Sequence, residues 1–322
     1  MSVQKENIPT KESIIEAHKR IEPYIHRTPI MSSEQINQLL ECSIYFKCEN
    51  FQKVGAFKSR GAVNAVFSLD DKQLKNGVGT HSSGNHAQAL ARAAKIKGIP
   101  AYIVMPENAP QVKVRAVEGY GGKIRFCGTT QESRESTLAE VVKETGATVI
   151  HPYDNYKIIE GQATAAKELI EEYSNLNYII APVGGGGLLA GTALSTHYFA
   201  NNTTLIAAEP KNADDAQRSF RKGHIIPSIE PDTIADGLLT SVGERNFPII
   251  QEHVTDILTC SEESIKKAMR LIWERMKILV EPSAAVPLAV IMENPEQFAG
   301  KEIGIILSGG NVDLDNIQKI LF

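Results

Sequence analysis

The run YIIAPVGGGG, residues 178–187, decides the reading of the fold. Its first six residues are apolar and show no polar alternation, as in a parallel strand buried on both faces. Four successive glycines follow, and from about Leu188 a helix begins. Strand, turn, helix is the order in which open α/β sheets place a ligand, outside the carboxyl ends of their strands. Four glycines let the backbone come close to a ligand and aim several N–H groups at it. The helix adds the positive end of its dipole, so a phosphate is the favoured guest. The plainer alternative is a glycine-rich turn that merely connects strand and helix. A dinucleotide-binding GxGxxG is absent here.

Outward from this run the same alternation repeats. Strands are predicted at 43–48, 77–82, 101–105, 123–127, 148–151, 178–183, 204–209, 256–260 and 302–307. Segments of helical length such as HAQALARAAKIKG and ESTLAEVVKETG lie between most of them, and an amphipathic helix opens the chain from about Lys11. The pattern predicts an α/β protein with mostly parallel, twisted sheets flanked by helices. Residues 76–151 hold four strands of their own, and we read them as a small domain inserted into a larger one built from 1–75 and 152–322. The irregular stretch Gly223 to Asn246 reads as an active-site loop.

Two more loops share the strand-to-helix position: SSGNH, residues 82–86, and SGGN, residues 308–311. Lys58 lies in VGAFKSRGA, whose Gly, Ala and Phe give an ammonium an apolar setting. Desolvation lowers a lysine pKa and leaves a free amine able to form an imine. A solvated surface charge is the ordinary alternative for any single lysine.

At 322 residues, with 42% hydrophobic and 22% charged residues and a net charge of -4, the chain has the composition of a soluble globular protein of one or two domains. Nothing in the charge distribution argues for nucleic acid or an anionic membrane. Cys42, Cys48, Cys127 and Cys260 form no metal-binding spacing and read as free thiols. A polar N-terminus and the lack of an apolar span predict a cytoplasmic protein that does not cross a membrane.

YFKCENFQKVGAFKSRGAVNAV (45–66), THSSGNHAQAL (80–90), PVGGGGLLAG (182–191) and IILSGGNVDL (305–314) together resemble the fold-type II pyridoxal-phosphate enzymes. Within that group the resemblance is greatest to the serine racemases, then to the threonine and 3-hydroxyaspartate dehydratases. It implies pyridoxal 5'-phosphate held as an imine on Lys58, with Phe57 against its ring. The phosphate would lie on Gly184, Gly185, Gly186, Gly187 and the Leu188 amide. Asn85 would meet the ring 3' oxygen and Ser308 the ring nitrogen. A neutral hydroxyl there makes the ring a weaker electron sink than a carboxylate would, which suits prompt loss of a β-leaving group.

The resemblance further implies a substrate-carboxylate loop of Ser82, Ser83, Asn85 and His86, closed over by Arg134. Taken alone, Arg134 reads as a solvated helix charge. Lys58 and Ser83 would serve opposite faces of the substrate α-carbon, as racemisation requires; Ser83 acting on carboxylate alone is the other reading. AAEPKNADD (207–215) resembles the divalent-cation site of the group, with Glu209, Asp215 and the Ala213 carbonyl as oxygen ligands for Mg²⁺, Ca²⁺ or Mn²⁺. Lys53, Gln88, Lys113, Tyr120 and Arg275 stand at positions compatible with an ATP site between subunits, although Val54 and Tyr153 depart from the animal pattern. The implied substrate is a small amino acid, serine first, and the implied assembly is a homodimer. A dehydratase without racemisation, acting on threonine or 3-hydroxyaspartate, is the alternative activity.

Overall fold

The computed structural model describes residues 8–82, 84–109 and 111–321. Its strands are β1 (Ile30–Met31), β2 (Ser43–Cys48), β3 (Val78–His81), β4 (Ala101–Pro106), β5 (Lys123–Cys127), β6 (Thr148–Val149), β7 (Tyr178–Pro182), β8 (Thr204–Pro210), β9 (Asp256–Cys260) and β10 (Glu302–Leu307). They form a six-stranded sheet in the order β1-β2-β10-β7-β8-β9 and a four-stranded sheet in the order β5-β4-β3-β6. Every pairing is parallel except β1 with β2. All nine runs read as strands from the sequence are strands. β1 was not foreseen, being two residues long and too short to show a period.

The larger sheet is apolar on both faces because helices cover both. Along β10, Ile303, Ile305 and Leu307 enter one core while Ile306 enters the other; Ile180 and Ile179 divide the same way on β7, and Ile206 and Leu205 on β8. Side chains alternate with a period of two, so a strand covered on both sides must be apolar throughout. Burying each such isoleucine contributes roughly 1.5–3 kcal/mol. The smaller sheet follows the same rule at β4, where Ile103 and Met105 oppose Val104. Its edge strand β5 instead exposes Lys123 and Arg125, charges that discourage further strand pairing.

Beneath the helix Lys58–Phe67 lies a buried ion network. Arg60, fully buried, donates to both oxygens of Glu49 at 2.7 and 2.8 Å and to both of Glu168 at 2.8 Å. Lys47 adds a contact of 2.5 Å to Glu168. The network ties this helix to β2 and to the helix Tyr156–Glu172, and so holds the first turn that carries Lys58.

Candidate active site

The carboxyl ends of β3, β7 and β10 converge on one cavity of about 720 Å³. The segment preceding Lys58 is stitched to the loop after β10. Ala56 bridges Gly309, the Phe57 N–H donates to the Ser308 carbonyl at 3.0 Å, and the Gly310 N–H donates to the Gly55 carbonyl at 2.9 Å. Lys58 reaches the cavity wall, its ammonium 5.2 Å from the Phe57 ring centroid and 2.9 Å from the Pro152 carbonyl oxygen. Burial lowers its pKa to about 8, against an opposing pull from the Glu281 carboxylate.

Facing it is the turn after β7. Gly184 to Gly187 and Leu188 all line the cavity, and Gly186 at φ +89° precedes the helix Gly187–Phe199 in a left-handed conformation that suits glycine. The glycine requirement has a second cause that the sequence did not reveal. A Cβ on Gly185 would run into the Tyr153 ring, so the turn is packed under an aromatic side chain as well as open to a ligand.

Ser308 closes β10 with its hydroxyl buried and without a partner among the described residues. That hydroxyl has a hydrogen bond to give to whatever fills the cavity, as a ring nitrogen requires. Asn85 begins the helix Asn85–Lys97 and borders the cavity together with Ser82, Gly84 and His86. His86 is held uncharged by burial, then by Lys58, with its Nε2 3.4 Å from the Ile150 carbonyl oxygen. Ser83 lies outside the described residues. Arg134 lines the same cavity, with one Nη donating to the Thr129 carbonyl at 3.3 Å and its Nε without a partner among the described residues.

A family model of pyridoxal-phosphate dependent enzymes matches residues 21–309. The chain belongs to this family. Among similar proteins, the β-hydroxyaspartate dehydratase of Paracoccus denitrificans is 52% identical over 96% of this chain and 98% of its own. The serine racemase of Dictyostelium discoideum is 51% identical over 97% of this chain and 98% of its own. The solved structure of maize serine racemase superposes with a TM-score of 0.94 at 45% identity, covering 97% of both chains.

As a pyridoxal-phosphate dependent enzyme, the chain brings together in one cavity Phe57, Lys58, Ser82, Asn85, His86, Arg134, the four glycines, Leu188 and Ser308. The proposed cation ligands form a separate group. Glu209, at the end of β8, accepts from the Ala216 and Gln217 N–H groups at 2.8 Å each, and Asp215 Oδ2 is buried without a partner among the described residues. Burial raises Glu209 to about 9 and Asp215 to about 6. Among the described residues no three His, Cys, Asp or Glu side chains are grouped to hold a metal, so any ion there needs the Ala213 carbonyl and water as well.

The five nucleotide candidates separate. Gln88 and Tyr120 line a second cavity with Val54, Gly55 and Asn311, and Lys53 adjoins it in sequence. Lys113 instead lines the active-site cavity and pairs with Asp236 at 2.5 Å. Arg275 is exposed on the helix Glu262–Met276. Sequence reasoning missed Glu281 and His81 in the cavity lining, whereas Asp236 belongs to the stretch Gly223 to Asn246 that it read as an active-site loop. An acid before a helix-opening proline, as in Glu281-Pro282, was the one local sign of the first.

Proposed function

We propose that the chain is a serine racemase that also eliminates water from serine, the elimination product then being hydrolysed to pyruvate and ammonia. The observation that carries this is the Lys58 amine, open to the same cavity as the tetraglycine turn and the uncommitted Ser308 hydroxyl. When bound, pyridoxal phosphate draws electron density from the substrate α-carbon and so loosens its proton. Phe57, Asn85 and Ser308 would hold the ring of that group, and Gly184 to Leu188 its phosphate.

The Lys58 Nζ takes and returns the α-proton on one face, as an amine with a pKa of about 8 can. Ser83 supplies a proton on the other face, giving the opposite enantiomer. The N–H groups around Ser82 to His86, at a helix start, bind the substrate carboxylate, and Arg134, which lines the same cavity, closes over it. Loss of the β-hydroxyl as water competes with return of the proton.

A divalent cation at Glu209, Asp215 and the Ala213 carbonyl belongs to this reading, supported by the unpartnered Asp215 oxygen. So do ATP at the cavity of Gln88 and Tyr120, a homodimer, a cytoplasmic location, and the division into 76–151 and the remainder. Among the described residues no helix is long and apolar enough to cross a membrane.

A second reading, dehydration of 3-hydroxyaspartate, is favoured by the 52% identity to the β-hydroxyaspartate dehydratase of Paracoccus denitrificans. The β-carboxylate of that substrate needs a cation besides Arg134, which this reading already gives to the α-carboxylate. The deciding measurement is chiral analysis of products from L-serine and 3-hydroxyaspartate, for the wild type and Ser83→Ala. D-serine from the wild type, lost in Ser83→Ala while pyruvate persists, is the expected result. Pyruvate with no D-serine from the wild type overturns the racemase assignment.

A further inference from the structure

The cavity holds one acid to which the reading above gives no task. Glu281 is 4% exposed and stands immediately before the helix Pro282–Glu293, yet its side chain does not cap that helix. A buried carboxylate is normally paired with a cation or neutralised. Glu281 has no ion-pair partner among the described residues. It accepts from Asn85 Nδ2 at 3.0 and 3.1 Å, one distance to each oxygen, and from the Asn311 backbone N–H at 3.2 Å. Burial raises its pKa to about 7, and Asp236 adds to the push. Gly309 makes the room, since a Cβ there would sit 2.7 Å from a Glu281 oxygen. A costly group that neither caps a helix nor pairs with a cation is a candidate for function.

The geometry says what Glu281 does to Asn85. Both Glu281 oxygens lie at hydrogen-bond distance from the same Asn85 terminus, and a carboxyl group carries at most one proton, so at least one oxygen accepts and the side of Asn85 facing it is the NH₂. The opposite side is fixed independently. Asn311 Nδ2 donates both to the Val54 carbonyl at 2.7 Å and to Asn85 Oδ1 at 2.8 Å, so the Asn85 oxygen faces Asn311. Seen from the amide nitrogen, the two oxygens of one carboxylate are too close together to take two N–H bonds that diverge by about 120°. One N–H is therefore shared between them, and the other has no acceptor among the described residues, on a side chain that lines the cavity.

We propose that Glu281 is a positioning residue that locks the Asn85 amide in one orientation, with one N–H held out as donor to the ring oxygen of the bound cofactor. This rests on the placement of Asn85 beside that oxygen in the reading above. A glutamine at 281 can present either its NH₂ or its carbonyl, and Asn85 is then free to turn over.

The test is a double-mutant cycle on the holoenzyme with Glu281→Gln, Asn85→Ala and both together. Cofactor dissociation and the visible absorption band are read alongside thermal melting. Glu281→Gln is expected to raise the cofactor dissociation constant about tenfold, or ~1.4 kcal/mol. Its band should shift toward that of Asn85→Ala, and the double variant should bind no more weakly than Asn85→Ala alone. Additive losses, or a lowered melting point with wild-type affinity and band, overturn the proposal while leaving the cofactor site standing. Wild-type behaviour of Asn85→Ala overturns the placement of Asn85 and the proposal with it. Should Glu281→Gln not fold, Glu281→Asp gives the same readouts, because it keeps the charge and withdraws it by one methylene.

Discussion

The Lys58 ammonium donates to the Pro152 carbonyl oxygen at 2.9 Å, a contact spanning 94 residues that joins the helix Lys58–Phe67 to the turn after β6. That bond and the nearby Glu281 both favour the charged amine. Burial outweighs them and brings the pKa from 10.5 to about 8.

The sign of that shift sets a pH dependence. Only the neutral amine attacks an aldehyde, so capture of pyridoxal phosphate by cofactor-free protein should rise about tenfold per pH unit below 8 and level off above it. An unshifted lysine would keep accelerating toward pH 10. The rate of yellow absorbance against pH distinguishes the two, and Lys58→Ala should show neither colour nor turnover.

Gly185 and Tyr153 share one volume, since a Cβ on the glycine would overlap the tyrosine ring. Gly185→Ala is therefore expected to cost about 1–3 kcal/mol through overpacking. In the double variant with Tyr153→Ala the loss should fall short of the sum of the two singles, because one ring accounts for the clash. Urea unfolding of the four proteins measures it. Strictly additive losses would mean that the turn resists the methyl for another reason.

These contacts also mark where sequence reading stops. YIIAPV and EIGIIL were legible as doubly covered strands because burial on both faces leaves a purely apolar run. The tetraglycine turn was legible because strand, turn and helix are neighbours in the chain. Glu281 was not, because it meets Asn85 across 196 residues and no local period records such a pairing. Lys113 illustrates the same limit. Its motif position suggested a nucleotide, whereas the fold brings Asp236 to it from 123 residues away.

Arg60 neutralises Glu49 and Glu168 in a place with no solvent. Arg60→Ala leaves those two carboxylates with Lys47 as their nearby cation, and is expected to destabilise the protein by about 3–5 kcal/mol. Arg60→Lys should recover only part of this, since one ammonium cannot bond both oxygens of two carboxylates. Denaturant midpoints for the three proteins test the order. Equal midpoints for Arg60→Lys and the wild type would show that charge alone suffices.

Asp215 presents a buried oxygen with no hydrogen-bond partner among the described residues, close to a Glu209 whose two oxygens already accept from the N–H groups of Ala216 and Gln217. Burial first, and then the neighbouring Asp215, raises the Glu209 pKa, and a divalent ion between the two acids relieves that repulsion. If the ion binds only the folded chain, Mg²⁺ at 100 times its dissociation constant adds about 2.7 kcal/mol of stability, and a chelator removes it. Asp215→Asn offers an amide in place of one anionic ligand, so its melting point should respond far less to Mg²⁺ or chelator. The Glu209 cap on the following helix should survive that change and keep the variant folded. An Asp215→Asn protein with the full wild-type response would place the ion elsewhere.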